Sequence, residues 1–254
     1  MSKEKLEGKV CIITGTAGTM GRAAALLFAS EGARVVGCDL FEPGALETQQ
    51  QVRAAGGVME SVAPCNLTDA RECQALVDLA VKRFGKIDIL YNNAAMAYFN
   101  WLEDMSEEEW KKTLNEEINL VFLLTKAAWP HLKASHGAIV NTASAVAWSA
   151  FKHLPAIAHS TAKAGVVAMT RHLAMEGAPH GIRANSISPG SVVSEQSKKQ
   201  LADKTWADYL TGRIMLGRPA DPKEIASAAL FLASSDSSYV TAADLPVDGG
   251  LIAW

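Results

Sequence analysis

The sequence has few cysteines, few aromatic residues and no long apolar run. Of its 254 residues, 4 are cysteine and 7% are aromatic, while 49% are apolar and 20% are charged. This balance is ordinary for a globular protein and excludes wholesale disorder. No apolar segment is long enough to span a bilayer, and residues 1–8 (MSKEKLEG) lack the apolar core of a signal peptide. We therefore expect a soluble cytoplasmic protein that has no membrane partner.

Runs of basic residues are also missing. The chain carries 24 Lys and Arg against 27 Asp and Glu, a formal net charge of −3, with no cluster of Lys and Arg. A nucleic-acid partner is not expected, because nothing concentrates the positive charge that a phosphate backbone needs. The expected partner is a small-molecule substrate.

The four cysteines do not form a metal or disulfide pattern. They are Cys11, Cys38, Cys65 and Cys73, and the first three fall on predicted core strands. No Cys/His spacing resembles a zinc site. We interpret these residues as small buried apolar side chains.

The chain is organised around the stretch Lys9–Gly21, KVCIITGTAGTMG. The unbroken apolar run Val10–Ile13 predicts a parallel strand that is covered on both faces. Glycines at 15, 18 and 21 follow it, and an apolar helical run spans Ala23–Ala29, with Thr19 predicted as the helix cap. A strand, a glycine loop and a helix N-terminus in this order bring backbone N–H groups to a pyrophosphate.

A second predicted strand ends in an acid. The run Arg34–Asp39 reads RVVGCD, and Asp39 lies 18 residues after Gly21, where a ribose-binding carboxylate is expected. Such a carboxylate accepts both ribose hydroxyls of NAD and repels the 2′-phosphate of NADP. No arginine follows directly, so NAD(H) is favoured and NADP is the lesser candidate. The alternative is a solvated loop acid without a ligand.

Strands and helices alternate along the whole chain. This pattern predicts an α/β fold with a doubly wound parallel sheet in a single domain, 1–254. Further strands are predicted at Met59–Ala63, Ile87–Tyr91, Ala138–Thr142, Arg183–Ile187 and Asp244–Val247. Further helices are predicted at Pro43–Ala55, from Thr68-Asp69 to Phe84-Gly85, at Glu107–Lys133 with a break near Asn115, at Ser160–Gly177 and at Pro222–Ala233. The irregular segment at about 191–217 is interpreted as a lid over a substrate.

The motifs resemble those of the short-chain dehydrogenase/reductase family over nearly the whole chain. They are Thr14-Gly15…Gly21, Asp39, Asn92-Asn93-Ala94-Ala95, Ser144, Lys163, Pro189-Gly190 and Val247-Asp248-Gly249-Gly250. The resemblance implies a Rossmann fold, a nicotinamide cofactor, oxidoreductase activity and a homo-oligomer, either a tetramer or a dimer.

The same resemblance implies a set of cofactor-binding residues. They are Gly15, Thr19, Met20, Gly21, Asp39, Leu40, Asn66, Leu67, Asn93, Ala94, Ala95, Lys163, Pro189, Gly190, Val192 and Ser194. Four of them depart from the family pattern. Thr19 replaces the middle glycine, Asn66 an aspartate at the adenine, Ala95 a glycine and Ser194 a threonine.

The reacting centre departs further from the family, whose catalytic residues are Asn, Ser, Tyr and Lys. Ser144 and Lys163 match the serine and the lysine. The tyrosine belongs four residues before the lysine, and that position is His159. Glu117 occupies the position of the asparagine, which lies 7 residues after Trp110 and 13 residues before Pro130.

This set of residues permits several reactions. His159 can serve as acid or base, since a histidine ordinarily titrates near pH ~6.5, and Ser144 can bind the substrate heteroatom. Glu117 can pair with Lys163 or stabilise a cation such as an iminium. Hydride exchange with a ketone or secondary alcohol, or with an imine or amine, is the leading hypothesis. A redox-neutral lyase or isomerase that uses His159 and Glu117, and a non-catalytic NAD-binding protein, are the alternatives.

Apolar side chains follow the predicted fourth and fifth strands and occur in the lid. In this fold these loops surround the carboxyl ends of the strands, where ligands bind. The predicted pocket favours a bulky, apolar, cyclic or aromatic substrate. Its residues are Met96, Tyr98, Val146, Trp148, Leu154 and Trp206, with Phe99, Trp101 and Phe151 nearby.

Overall fold

The computed structural model describes residues 4–194, 197, 202 and 204–254. These residues contribute seven strands to one parallel sheet, in the order β3-β2-β1-β4-β5-β6-β7. The strands are β1 (Val10–Thr14), β2 (Arg34–Cys38), β3 (Val58–Val62), β4 (Ile89–Asn92), β5 (Ala138–Thr142), β6 (Arg183–Pro189) and β7 (Asp244–Val247). The predicted single-domain α/β fold with a doubly wound parallel sheet is confirmed.

Helices connect successive strands and cover both faces of the sheet. They are α1 (Thr19–Ser30), α2 (Glu42–Ala54), α3 (Ala70–Phe84), α4 (Glu107–Leu114), α5 (Leu120–Ser135), α6 (Ile157–Gly177), α7 (Lys204–Arg213) and α8 (Pro222–Ala233). One turn of π-helix, Asn115–Asn119, joins α4 to α5. The chain stays helical through the predicted break near Asn115, which is a widening of the helix rather than an interruption.

Adjacent residues of β1 point to opposite faces of the sheet and enter two separate cores. Ile12 packs with residues of α3, α5 and α6, such as Leu124. Ile13 packs with residues of α1, α2 and α8, such as Phe28. All five residues of β1 are buried. This is the reason that the strand has no alternation of polar and apolar residues.

Two local predictions are wrong. Helix α1 begins at Thr19 itself, with Gly18 as its N-cap and no side-chain hydrogen bond to the cap, so Thr19 does not cap the helix. Cys65 lies beyond the end of β3 rather than on it, although it is buried as expected. The other strand and helix boundaries differ from the predictions by a few residues at most.

The strand order reverses between β1 and β4. Strands β2 and β3 lie on one side of β1, and β4 to β7 lie on the other. A doubly wound sheet binds its ligands at the carboxyl ends of the strands beside such a reversal. Among the described residues, no helix is long and apolar enough to cross a membrane. The same residues contain no cluster of three or more His, Cys, Asp and Glu that could hold a metal ion.

Candidate active site

The glycine loop after β1 is a tight turn that only glycine permits at two positions. Gly15 has a φ of 74°, and its N–H donates to the carbonyl of Cys38 at 2.9 Å. A Cβ on Gly21 would lie 2.1 Å from the carbonyl oxygen of Gly15. Because no side chain caps α1, the N–H groups at the helix start, those of Thr19 and Met20 among them, are suited to an anion. The loop fits the pyrophosphate of a dinucleotide.

The carboxylate of Asp39 is anchored beside this loop. Its Oδ2 accepts from the N–H of Ala17 at 2.9 Å, and its Oδ1 accepts from the N–H of Phe41 at 2.9 Å. Leu40 is exposed next to it. The arginine of the first turn of α1, Arg22, is held by Glu47 and Thr48 on α2. An acid fixed in this place, with the nearby arginine engaged elsewhere, fits a ribose that carries free hydroxyls.

The segments after β3 and β4 lie at the same edge of the sheet. The Asn66 side chain accepts from the N–H and the hydroxyl of Thr68, at 3.1 and 2.8 Å, and Leu67 beside it is buried. The Asn93 amide donates to the carbonyl of Thr14 at 2.9 Å, and the Thr14 hydroxyl accepts from the N–H groups of Asn93 and Ala94. Asn93 and Ala94 thus fasten the end of β4 to the end of β1.

The loop after β6 forms the opposite wall. Gly190 follows Pro189, and a Cβ on it would lie 2.9 Å from the backbone of Asp248. Val192 pairs with Ala220 in an isolated parallel bridge. The Ser194 hydroxyl accepts from the N–H of Ser197 at 3.0 Å. The other predicted lid residues between 194 and 204, except 197 and 202, lie outside the described residues.

Glu117, His159 and Lys163 form one contiguous cluster. His159 Nδ1 lies 2.8 Å from both carboxylate oxygens of Glu117, and Lys163 Nζ lies 3.6 Å from Glu117 Oε1. Lys163 also donates to the carbonyl of Thr142 at 3.0 Å. The side chains of Glu117 and Lys163 are 1% and 4% exposed, whereas that of His159 is 16% exposed. The histidine is therefore the member of the cluster that a substrate can reach.

Two elements bring these residues together. His159 and Lys163 are four residues apart in the first two turns of α6, and thus on one face of the helix. Glu117 lies in the π turn and is buried, while the amides of Asn115 and Asn119 bond each other at 3.1 Å on the exposed side. A π turn accommodates an additional residue and often occurs at functional sites. The carboxylate therefore points at α6, which is the pairing with Lys163 that the sequence allowed, with His159 added to it.

The ring of His159 lines a cavity of about 240 Å³. His159 Nδ1 faces the Glu117 carboxylate, so Nε2 is the ring nitrogen left for a molecule in the cavity. Ser144 lies in the same wall, and its hydroxyl is bonded only weakly, to the N–H of Val146 at 3.4 Å. The geometry provides an acid–base group and a hydroxyl that face one space.

The rest of the cavity wall is apolar. Of the residues predicted for the pocket, Val146, Leu154 and Trp206 line the cavity, as do the nearby Phe99 and Phe151. Leu210 on α7 and Leu251 after β7, neither of them among the predicted pocket residues, also line the cavity. Only the apolar face of the lid helix and the turn after Gly250 could have indicated them. None of the described residues that line the cavity is Lys, Arg, Asp or Glu.

Three residues predicted for the pocket have other contacts. The indole of Trp148 donates to Asp244 Oδ2 at 2.8 Å. The Tyr98 ring lies under Lys112, with Nζ 5.8 Å from the ring centroid. Met96 is exposed. None of the three is among the residues that line the cavity.

Comparison with known proteins agrees with this geometry. A family model described as enoyl-(acyl carrier protein) reductase matches residues 15–252. The chain is 38% identical over 251 residues to the 3-oxoacyl-[acyl-carrier-protein] reductase FabG of Thermotoga maritima, covering 98% of this chain and 99% of that protein. It is 36% identical over 252 residues to the trans-4-hydroxycyclohexanecarboxylate dehydrogenase of Sinomonas cyclohexanicum, covering 97% of this chain and 94% of that one.

Solved structures extend the comparison to the fold. The crystal structure of gox2181 matches this chain with a TM-score of 0.96 at 31% identity. The match covers 99% of this chain and 98% of that one. A 7α-hydroxysteroid dehydrogenase, solved with NADH and 7-oxo glycochenodeoxycholic acid, has a TM-score of 0.92 at 28% identity. That match covers 98% of this chain and 96% of the dehydrogenase. Fold and site together define an oxidoreductase that transfers hydride with a nicotinamide cofactor. The chain belongs to the short-chain dehydrogenase/reductase family.

Proposed function

We propose that this protein exchanges hydride between NAD(H) and a bulky, uncharged, apolar substrate, a cyclic ketone or the corresponding secondary alcohol. The observation that carries this proposal is the Glu117–His159–Lys163 cluster, whose exposed member lines an apolar cavity. A cavity without charged walls favours a neutral ring over a carboxylate or a phosphate ester. Two relatives with cyclic substrates, the hydroxycyclohexanecarboxylate and hydroxysteroid dehydrogenases, support the choice of a ring.

The cofactor is held by the glycine loop, by Asp39 and by Lys163. Bound NAD supplies or accepts the hydride. The backbone N–H groups at the start of α1 would bind the pyrophosphate, and the anchored carboxylate of Asp39 would accept from ribose hydroxyls. An NADP 2′-phosphate would be repelled by that carboxylate, so the preference is for NAD.

His159 is the acid and base in place of the family tyrosine. In alcohol oxidation its Nε2 takes the hydroxyl proton, and the imidazolium that forms is stabilised by the Glu117 carboxylate at Nδ1. In ketone reduction the imidazolium returns the proton to the oxygen. Ser144 donates to the same oxygen. Lys163 pairs with Glu117 in the buried cluster and would hold the nicotinamide ribose.

The test measures absorbance of the reduced cofactor with cyclic ketones, cyclic alcohols and cyclic imines. His159→Ala should lower ketone turnover by about 10²–10⁴-fold, the usual contribution of a positioned acid or base. His172→Ala, an exposed histidine on the same helix, is the matched control and should leave the rate unchanged. Full activity in His159→Ala would remove this residue from the mechanism.

A double-mutant cycle tests the partnership within the cluster. If the two residues act independently, Glu117→Gln lowers ketone turnover by the same factor in the wild type and in His159→Ala. Because they are hydrogen bonded, we expect the second change to add little to the first. A fully additive result would contradict the assigned partnership.

Imine reduction is the second candidate, and the buried carboxylate favours it. Glu117 contacts His159 rather than the cavity, so its charge would reach an iminium through the imidazole ring. For imines, we expect Glu117→Gln to lower turnover more than His159→Ala does, because an iminium needs no acid. For ketones, we expect His159→Ala to lower turnover more. If each variant loses as much turnover with imines as with ketones, or if the wild type does not reduce imines, imine reduction is excluded and ketone–alcohol chemistry remains. Product without cofactor oxidation would indicate a lyase or isomerase, and cofactor binding without turnover a non-catalytic NAD-binding protein.

A further inference from the structure

One sequence motif, Val247-Asp248-Gly249-Gly250, has no role in the proposed reaction, and in the fold it forms the turn after β7. The carboxylate of Asp248 holds this turn. Its Oδ1 accepts from the N–H of Gly250 and its Oδ2 from the N–H of Ile252, both at 2.9 Å. The turn is therefore built by a side chain of the motif itself, and it fixes where the residues that follow it lie.

The turn lies against the chain that leaves helix α7. The N–H of Leu216 donates to the carbonyl of Gly249 at 3.1 Å. A Cβ on Gly249 would lie 2.8 Å from the Ile214 side chain, and one on Gly250 would lie 2.7 Å from the sulfur of Met215. The two glycines thus permit a close approach that a side chain would prevent.

The cavity of the candidate site has a small apolar core of its own. The buried residues of this core come from three segments, namely the loop after β5, the end of α7 and the turn after β7. They are Ala145, Phe151, Leu210, Ile214 and Leu251. None of them belongs to the two cores on the faces of the sheet, and all but Ile214 also line the cavity. The shape of the cavity wall therefore depends on how these three segments are held together.

Arg213, the last residue of α7, connects the three segments. Its guanidinium carbon lies 5.6 Å from the centroid of the Phe151 ring. Its Nη2 donates to the carbonyl of Trp254 at 3.3 Å, and its own carbonyl accepts from the indole N–H of Trp254 at 2.9 Å. A planar guanidinium can lie over an aromatic ring and donate hydrogen bonds from its edge at the same time, whereas the ammonium of lysine is a point charge.

The contacts between Arg213 and Trp254 lie outside the cavity. Neither residue is among those that line it, and Trp254 is 69% exposed. Water competes for hydrogen bonds at such a place, so the pair can open. Opening releases the end of α7 from the tail after β7 and leaves the two cores of the sheet intact.

We propose that Arg213 and Trp254 are positioning residues that hold α7 closed over a bound substrate, and that they thereby determine the affinity for bulky substrates. The inference rests on the substrate cavity and the ketone reduction proposed above. With the pair closed, Phe151 and Leu210 stand where they contact a ring in the cavity. With the pair open, this wall moves outward. The apparent dissociation constant of the substrate then rises in inverse proportion to the closed fraction.

The experiment compares KM and kcat of the full chain for a small ketone, cyclohexanone, and for a bulky bicyclic ketone, decalone. Trp254→Phe keeps an aromatic ring and removes the indole donor. The KM for decalone should rise roughly three- to tenfold, the effect of one lost hydrogen bond, whereas kcat should not fall. The KM for cyclohexanone should change little, because a single ring makes fewer contacts with the wall. The dissociation constant of NADH and the melting temperature should be unchanged.

Arginine variants test the other half of the pair. Arg213→Lys retains the charge and removes the planar group, and it should raise the KM for decalone in the same way. The double variant should lose little more than either single one, since both changes break the same contacts. Arg218→Lys is the matched control. This arginine follows α7, is exposed and pairs with Glu224 at 2.8 Å, so its replacement should leave both KM values unchanged.

Four results would overturn the proposal. They are unchanged KM values in both single variants, KM values that rise equally for the two ketones, a rise in KM together with weaker NADH binding or a lower melting temperature, and a rise in KM together with a smaller mass by light scattering. The last result would place Trp254 in an interface between copies instead. A wild-type protein that reduces neither ketone would overturn the proposed function, and this inference together with it.

Discussion

At the scale of single residues, the site is defined by a buried acid that is shared between two bases. Glu117 is 1% exposed and contacts both His159 and Lys163. A buried carboxylate is tolerated only when it is paired and hydrogen bonded, and both conditions are met here. The arrangement fixes which nitrogen of the histidine faces the cavity. A neutral amide in this position would bind the same ring without stabilising its protonated form.

Asp39 is the residue on which the proposed preference for NAD rests. We expect Asp39→Ala to raise the dissociation constant of NADH by roughly tenfold or more, because charge-assisted hydrogen bonds to the ribose are lost. The dissociation constant of NADPH should change less, so the gap between the two cofactors narrows. Fluorescence titration with both cofactors measures this. Glu42→Ala, which removes an exposed acid from the start of α2, is the control and should preserve the gap. Equal binding of both cofactors by the wild type would contradict the assignment.

At the scale of elements, one turn of widened helix and one loop of glycines place the reactive groups. The π turn at Asn115–Asn119 turns Glu117 inward and leaves its asparagine neighbours toward solvent. In the loop after β1, a Cβ on Gly21 would meet the carbonyl of Gly15, and a Cβ on Gly15 would crowd Ala94 and Asn93. The middle glycine is not restricted in this way.

The glycine loop therefore allows a matched pair of substitutions. Gly21→Ala should destabilise the protein by about 1–3 kcal/mol, because its Cβ meets the Gly15 carbonyl and the loop must move. Gly18→Ala should have a much smaller effect on stability, since its Cβ would lie 3.4 Å from the same oxygen. Urea denaturation measures the difference. Similar losses in the two variants would show that the loop tolerates or rejects both side chains alike.

At the scale of the whole molecule, the described surface leaves several large apolar side chains exposed. They include Phe122 on α5, Phe231 on α8, Tyr239 before β7 and Trp254 at the last position. Exposed apolar groups on two sides of a domain are typical of interfaces between copies. The family resemblance implies packing through the long helices and through the C-terminal strand, and these residues lie on or beside those elements.

We expect a homotetramer of 27.0 kDa chains in solution. Light scattering coupled to size exclusion should give about four times the chain mass. Phe122→Asp should convert the tetramer to a smaller species, because a charge would be buried in the α5 interface. Leu46→Asp changes an exposed apolar residue on α2, away from that helix, and should leave the mass unchanged. A wild-type monomer at micromolar concentration would contradict the expectation.

The sequence determined the sheet, the order of the elements and the residues that carry the family motifs. Each of these features leaves a signal in the local sequence. Buried parallel strands have apolar runs, and glycines mark turns where a Cβ does not fit. Helices and strands differ in the spacing of their apolar residues. For the same reason the sequence indicated His159 and Glu117 as candidate site residues, since a family position is a count along the chain.

Only the tertiary structure decided what these residues touch. Glu117 had two open roles, and the π turn settled its contacts by directing the carboxylate to His159 as well as to Lys163. The contacts of Trp148 were also decided by the tertiary structure. Its aromatic character predicted a place in the pocket, whereas its indole N–H donates a hydrogen bond to Asp244 on β7. Contacts between distant segments depend on register and on helix rotation, and a shift of one residue in either of these turns a side chain to another face.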